Sequence, residues 1–279
     1  MKKLLITILI GVLAVTAEAQ RKQLLILHTN DTHSCIEPLN PRLADKNIAG
    51  KGGFVRRLNV LAEERRTHPD LLLFDSGDFS QGSPYYTLYR GDVEVELMNR
   101  MRYDAVTIGN HEFDFGIENM ARLFKNATFP VVCSNYDFTD TPLKGLVKPW
   151  LIIRRNGLKV GVFGLSPDPK GLIDVDKSRG LKFLDPIETA NRVAAFLKVR
   201  KRCDIVVCLS HLGWDSPDIN DTILIRQSRN IDLVLGGHSH TMMKTLGVVP
   251  NIDGKQVFVD QNGKQGLKIG RLLLDFKKK

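Results

Sequence analysis

Cysteine is scarce in this sequence: four residues in 279, at positions 35, 133, 203 and 208, with no CxxC pair among them. That spacing excludes a cysteine-type structural zinc site as the organising feature. Cys133 and Cys208 end apolar, strand-like runs, where a thiol is usually a small buried hydrophobe, and no disulfide pairing follows from the sequence. Aromatic residues make up only 7% and do not interleave with Lys and Arg, so the net charge of +9 has no stacking platform behind it and a nucleic-acid partner is not indicated. The charge is scattered over helix faces and the Lys277-Lys278-Lys279 tail, and reads as solvated surface with a weak preference for anionic substrates. No apolar run is long enough to span a bilayer comfortably. Internal repeats, low-complexity tracts and an interdomain linker are absent too. The hydrophobic content of 43% is that of a soluble globular protein with a substantial core.

What is present begins with an export signature. Lys2-Lys3 forms a basic start, residues 4–15 an apolar run, and Ala17-Glu18-Ala19 a small-x-small cleavage site. The expectation is a signal peptide over 1–19 and a mature, periplasmic or secreted chain over 20–279 with a charge of +8. The rival reading is an uncleaved membrane anchor. The cleavage site argues against it, no cysteine follows to carry a lipid, and no stable membrane anchor is expected.

From there strand-like and helix-like segments alternate. Strands are expected at 24–29, 70–74, 105–108 and 130–133, and helices at 53–66, either side of Gly91, and at 117–125. That alternation argues a mostly parallel sheet. Asn156-Gly157 between 150–154 and 159–165 signals a two-residue hairpin and so antiparallel pairing. A helix over 186–202 and strands at 205–209, 231–235, 257–260 and 267–276 complete the pattern. The fold class expected is α/β, one domain with two stacked mixed β-sheets flanked by helices.

Polar clusters recur just past the strands. Asp31 and His33 follow the first, Asp78 the second, and Asn110 and His111 the third; His211 and the pair His238 and His240 follow later ones. In open α/β sheets ligands bind beyond the carboxyl ends of strands, where short loops gather residues from distant sequence. Five of the seven histidines fall in these loops; His28, inside a strand, and His68, before a proline, take ordinary structural readings. Each cluster has a plain alternative: Asp31 and Asp78 as caps or turn residues, His211 as a surface histidine, His238-x-His240 as a glycine-supported turn, and 109–114 as a polar turn ahead of a helix at Gly116. Their recurrence on one sheet edge tells against those readings jointly. Carboxylate, imidazole and amide ligands without thiolate suit Mn, Zn, Fe or Mg. Eight such groups exceed one tetrahedral centre, whereas two metal ions sharing a bridging carboxylate use them economically.

In order, Asp31-x-His33, Gly77-Asp78, Gly109-Asn110-His111-Glu112, His211 and Gly237-His238-x-His240 resemble the full motif set of the calcineurin-like dinuclear metallophosphoesterases. The stretch from His28 to His33, Gly52-Gly53, Phe113-Asp114 and the segment from Gln261 to Gly266 look like the 5′-nucleotidase branch. The resemblance covers nearly all of residues 20–279 and implies a four-layer αββα catalytic sandwich. It implies two divalent ions (Mn, Zn or Fe), one held by Asp31, His33, Asp78 and His240 and the other by Asp78, Asn110, His211 and His238. His111, oriented by Asp114, is then a non-ligand that stabilises phosphoryl or leaving-group oxygens. The implied reaction is hydrolysis of a small phosphorylated substrate, a nucleoside monophosphate first, by a metal-bridging hydroxide. Nucleotide sugars, cyclic nucleotides and thiosulfate esters are the alternatives within the branch. Full-length nucleotidases of this branch carry a second, C-terminal domain that clamps the base. None is recognisable in this sequence, which raises a separate polypeptide as a possible partner. A non-catalytic metal-binding module is the reading from another class, and it would be expected to have lost ligands that are all kept here.

Overall fold

The computed structural model describes residues 22–276; the export signature and the lysine tail lie outside the described residues. The chain opens with β1 (Lys22–Thr29), α1 (Phe54–Thr67), β2 (Leu72–Asp75), α2 (Pro84–Tyr89), α3 (Asp92–Met101) and β3 (Ala105–Val106). It continues through α4 (Gly116–Asn126), β4 (Val131–Val132), β5 (Tyr136–Asp137) and β6 (Val147–Lys148). The second half carries β7 (Trp150–Arg155), β8 (Leu158–Leu165), β9 (Lys182–Phe183), α5 (Pro186–Ala195), β10 (Ile205–Ser210) and α6 (Asp221–Arg226). It ends with β11 (Leu233–Leu235), β12 (Gly247–Pro250), β13 (Gln256–Asp260) and β14 (Gly270–Phe276).

Two six-stranded mixed sheets result, in the orders β14-β1-β2-β3-β4-β6 and β12-β13-β11-β10-β8-β7, with β5 and β9 pairing separately. In the first sheet only β14 runs antiparallel to its neighbour. In the second, β8, β10, β11 and β13 are parallel while β7 and β12 close the edges antiparallel. The Asn156-Gly157 hairpin forms as expected, both residues taking the positive φ (48° and 68°) that a tight two-residue turn demands.

The uninterrupted apolar run of β1 reflects burial on both faces. Leu24 and Ile26 point into the seam between the sheets, against Val160, Val162, Val207 and Leu235. Leu25 and Leu27 point the other way, into a cluster with Leu61, Met98 and Met120 from α1, α3 and α4. Ala190, Val193 and Leu224 from α5 and α6 cover the outer face of the second sheet. The layers therefore run helix, sheet, sheet, helix, as expected. The helix expected over 186–202 keeps α-geometry only to Ala195 and widens to a π-turn over Phe196–Arg200. The expected strands at 130–133 and 267–276 shrink to Val131–Val132 and Gly270–Phe276.

The two sheets approach closely at Gly164. Its carbonyl accepts from Ser134 N at 2.8 Å. A Cβ there would fall 2.2 Å from both Thr107 Oγ1 and Val132 O, which belong to the other sheet's side of the seam. Gly164→Ala is expected to lower stability by about 1–3 kcal/mol through overpacking, read as a lower urea midpoint with an unchanged slope.

Candidate metal centre

The parallel strands β1, β2 and β3 of one sheet and β10 and β11 of the other end at a common edge. Residues 30–34, 76–80, 107–114, 211–213 and 236–240 leave those ends as loops, and every residue expected at the site comes from one of them. The edge straddles the seam, so both sheets contribute.

Three groups of ligand-type atoms converge there, the atoms of each lying within 4.8 Å of one another: Asp31, His33 and His240; His33, Asp78 and His111; and Asp78, His211 and His238. Asp31 and Asp78 are fully buried. The Nε2 atoms of His33 and His240 approach to 2.9 Å, and Asp31 Oδ1 lies 3.8 and 3.5 Å from them. On the other side Asp78 Oδ2 is 3.0 Å from His211 Nε2. The Asn110 side-chain oxygen is buried and has no hydrogen-bond partner. An orphaned buried carbonyl of this kind costs about 1–3 kcal/mol unless something accepts its lone pair. A hard cation beside Asp78 would do so, and the donor set fits divalent ions.

The backbone shows the same bias. Asp31, His33, Asp78, His238 and His240 all have positive φ, between 42° and 70°. Each such residue costs about 1–3 kcal/mol, and this strain gathers at functional loops where surrounding contacts enforce it. Asp31 N donates to Gly77 O and His33 N to Asp78 O, locking the first two loops together. His238 N donates to the Asp31 carboxylate at 3.0–3.1 Å, tying in the loop from the second sheet. Gly109 is required by contact: a Cβ there would sit 2.1 Å from Asp78 Oδ1.

Protonation separates the histidines. Burial pushes His33 and His238 down to about 4 and lowers His240, with the Lys264 charge adding to the last. These rings are neutral and keep a lone pair for a metal. His111 moves the other way, raised chiefly by its hydrogen bond to Asp114, whose carboxylate oxygens lie 3.2 and 3.3 Å from Nδ1. That bond commits Nδ1–H and leaves Nε2 as the working atom. Burial opposes charge on His211, yet the Asp78 and Asp31 carboxylates outweigh it and lift the ring to about 10. Carboxylates that draw a proton onto an imidazole also draw a metal cation. His211 Nδ1 donates to Ser76 O at 2.6 Å, which turns Nε2 toward them. Asp31 is pushed up to about 7, first by burial and then by Asp78 against the pull of His211. Asp78 falls well below the usual range: burial would raise it, but His211, His111 and His33 overcome that.

All seven residues expected as ligands, together with His111 and Asp114, therefore lie in these loops. His111 also falls within one of the three convergent groups, a proximity the motif pattern did not indicate. His28 and His68 stand apart: His28 is buried with Nε2 3.0 Å from Asp260 Oδ2, and His68 faces Glu64 on a half-exposed surface. All four cysteines are free.

Glu112 stands in the Gly109-Asn110-His111-Glu112 motif with no role evident from its sequence position. It is fully buried and its carboxylate accepts from Gly109 N (2.6 Å), Asp78 N (3.0 Å) and Ser80 N (3.1 Å), while burial and the Asp78 charge push its pKa up to about 6. Glu112 thus fastens the Asp78 loop to the Asn110 loop. Gln261 plays a similar part in the second sheet, accepting from Thr241 N and donating to Gly237 O at 2.6 Å. An acid three residues after a turn glycine, able to reach back to that glycine's N–H, was the available signal for Glu112.

A two-sheet α/β sandwich with such a histidine–carboxylate centre defines a metal-dependent hydrolase class. The chain belongs to the calcineurin-like phosphoesterase family, whose pattern matches residues 24–242. Among curated relatives, a protein named 5NUC from Lutzomyia longipalpis is 34% identical over 244 residues, covering 83% of this chain and 41% of the relative. The human 5′-nucleotidase is 30% identical over 273 residues, covering 91% of this chain and 46% of the relative. Among solved structures, a 5′-nucleotidase precursor from Thermus thermophilus superposes with a TM-score of 0.83 at 33% identity, over 91% of this chain and 52% of that one. The chain thus spans about half the length of the relatives it matches.

Glu112→Gln would set an amide NH₂ against N–H donors. It is expected to destabilise the protein by about 1–3 kcal/mol, measured as a lower midpoint of thermal unfolding without loss of secondary structure.

Proposed function

We propose that this chain is a phosphomonoester hydrolase working with two divalent ions, acting on nucleoside 5′-monophosphates in the manner of the 5′-nucleotidases it resembles. The observation that carries the reading is the convergence of seven ligand-type side chains from both sheets, with the Asn110 oxygen buried and unpartnered in the loop whose His111 N–H bonds Asp78. Asp31, His33, Asp78 and His240 would hold one ion, and Asp78, Asn110, His211 and His238 the other, Asp78 being shared. When bound, such ions supply Lewis acidity toward phosphoryl oxygens and an activated water.

The chain's own groups do the rest. Asp31 and Asp78 offset only two of four metal charges, so the site favours a phosphate dianion. The neutral Asn110 adds no further anion. His111, held toward its cationic form by Asp114, offers Nε2–H to the oxygen on which charge develops and donates a proton as the ester bond breaks. Asp114 acts through His111, fixing its tautomer and ring orientation. No covalent protein nucleophile is required.

Export and a partner belong to the same proposal. The basic, apolar and small-x-small series at the start of the sequence supports delivery to a periplasm or the exterior. Among the described residues no helix is long and apolar enough to cross a membrane. Beside Asp114 a groove of ≈ 730 Å³ presents Tyr86, Leu88 and Phe115, with Leu88 73% exposed. Exposed apolar surface next to a polar site is what a further domain or separate polypeptide would cover. A monodisperse monomer, fully active on AMP, would rule that partner out.

Chelation should abolish phosphate release from AMP, and Mn or Zn added back should restore it. His111→Ala is expected to lower kcat by about 10²–10⁴-fold with metal content retained, and Asp114→Asn by about 10–100-fold. Full activity in His111→Ala, measured by phosphate release alongside metal analysis, would sink the assigned role.

A further inference from the structure

The π-turn after α5 runs out through Val199, Arg200, Lys201 and Arg202, four consecutive exposed residues of which three are cations. Arg202 holds a positive φ of 55°, a conformation disfavoured for a residue with a Cβ. Three more cations gather round the turn. Burial raises the neighbouring Cys203 thiol, while the charges of Lys159, Lys198 and Arg154 pull it back. The patch has two carboxylates, and both are engaged. Asp232 takes Lys198 Nζ at 2.7 Å, and Asp204 accepts from Lys159 N at 2.7 Å. Among the described residues no carboxylate pairs with Arg154, Arg200, Lys201 or Arg202. Lys201 Nζ is held over the rings of Phe196 and Trp150, 5.2 and 6.0 Å from their centroids. A cation or two in the last turn complements a helix C-terminus. Four unpaired ones repel one another and serve no contact within the chain.

We infer that this patch docks the protein, peripherally and reversibly, on an anionic membrane surface. Lipid phosphates present a plane of negative charge to the cations that no residue of the chain neutralises. Val199 is 63% exposed among those cations. An apolar side chain so placed settles at the boundary beneath the headgroups, as in other basic interfacial segments. A nucleic acid would call instead for rings open to stack on bases. Here Trp150 and Phe196 pack against each other, centroids 5.0 Å apart, with Lys201 over both. The orientation suits catalysis. Strand β10 starts beside the patch at Ile205 and ends at Ser210, next to His211. Its six residues put about 20 Å between the two ends. A membrane bound at the patch therefore leaves the mouth of the metal centre open to substrate.

The test is co-sedimentation of the full chain with phosphatidylcholine vesicles, with and without phosphatidylglycerol, at low and high salt. Wild type is expected to pellet only when phosphatidylglycerol is present, and less as salt rises. Arg200→Glu, Lys201→Glu and Arg202→Glu together should lower the association constant about tenfold or more, with thermal unfolding unchanged. Reversing three exposed lysines elsewhere (Lys46→Glu, Lys125→Glu and Lys144→Glu) changes net charge equally and should leave binding within about twofold. An equal fall in both triple variants assigns the binding to net charge and overturns the patch. Undiminished binding in the patch variant comes from another part of the chain and overturns it too. Wild type that ignores phosphatidylglycerol at low salt also sinks the lipid surface, and its retention on single-stranded DNA would then assign the patch to nucleic acid.

Discussion

Two buried carboxylates at the mouth of the seam between the sheets govern the rest of this molecule. Asp31 and Asp78 are taken almost wholly out of water, and each raises the cost of ionising the other. Their surroundings answer that cost with positive partners: His211 Nε2 lies within 3.0–4.0 Å of both, and backbone N–H groups of His238 and His111 point at them. The loops that deliver these donors are strained at six non-glycine residues and pass one another at glycine. No packing need explains such an arrangement. A fold that only required stability would have left this edge to water, because burying like charges together is costly unless cations join them.

The same constraint explains how much of the molecule was legible in its sequence. Strands β1, β2, β10 and β11 read clearly because both their faces are covered, which leaves continuous apolar runs that end abruptly in Asp, His and Asn. The hairpin read clearly because Asn156-Gly157 suits few other turns. Strands β5, β6 and β9 span two residues each and carry no periodicity to read. Their positions follow from the tertiary contacts that pin them, such as Tyr136 against Phe183. The π-turn at the end of α5 likewise has no local signal, since Phe196 and Leu197 continue a helical stripe. At the centre, ligand types could be read from motif spacing. For Glu112 spacing offers only the reach back to Gly109 N–H; its bonds to Asp78 N and Ser80 N come from a distant loop and leave no mark in the local sequence.

His111 shows where pattern and geometry part. By position it lies close enough to His33 and Asp78 to count among the convergent groups. By partner it differs from His33, His238 and His240, for only His111 has a carboxylate, Asp114, bonded to its far nitrogen while its own environment favours the cation. A ring whose Nδ1 is committed to an acid and whose charge is encouraged is suited to donating a proton. Rings kept neutral by burial are suited to lending a lone pair. The contrast in protonation between His111 and these three rings therefore rests on their second nitrogen and their solvation rather than on distance alone.

Fold and site are also coupled through the seam. The first convergent group takes Asp31 and His33 from one sheet and His240 from the other; the third takes Asp78 from the first sheet and His211 and His238 from the second. Any cation held by either group joins the two sheets at the end where their loops are most strained and most polar. Apolar contacts such as Ile26 and Phe74 against Val160 and Val207 hold the sandwich along its length, but they stop short of this edge, where Ser76, Ser210 and Asn110 replace them. Because the unfolded chain does not preassemble such ligands, the free energy of binding a cation there adds to that of folding. A cation bound between these loops would therefore add to the stability of the strained geometry they adopt.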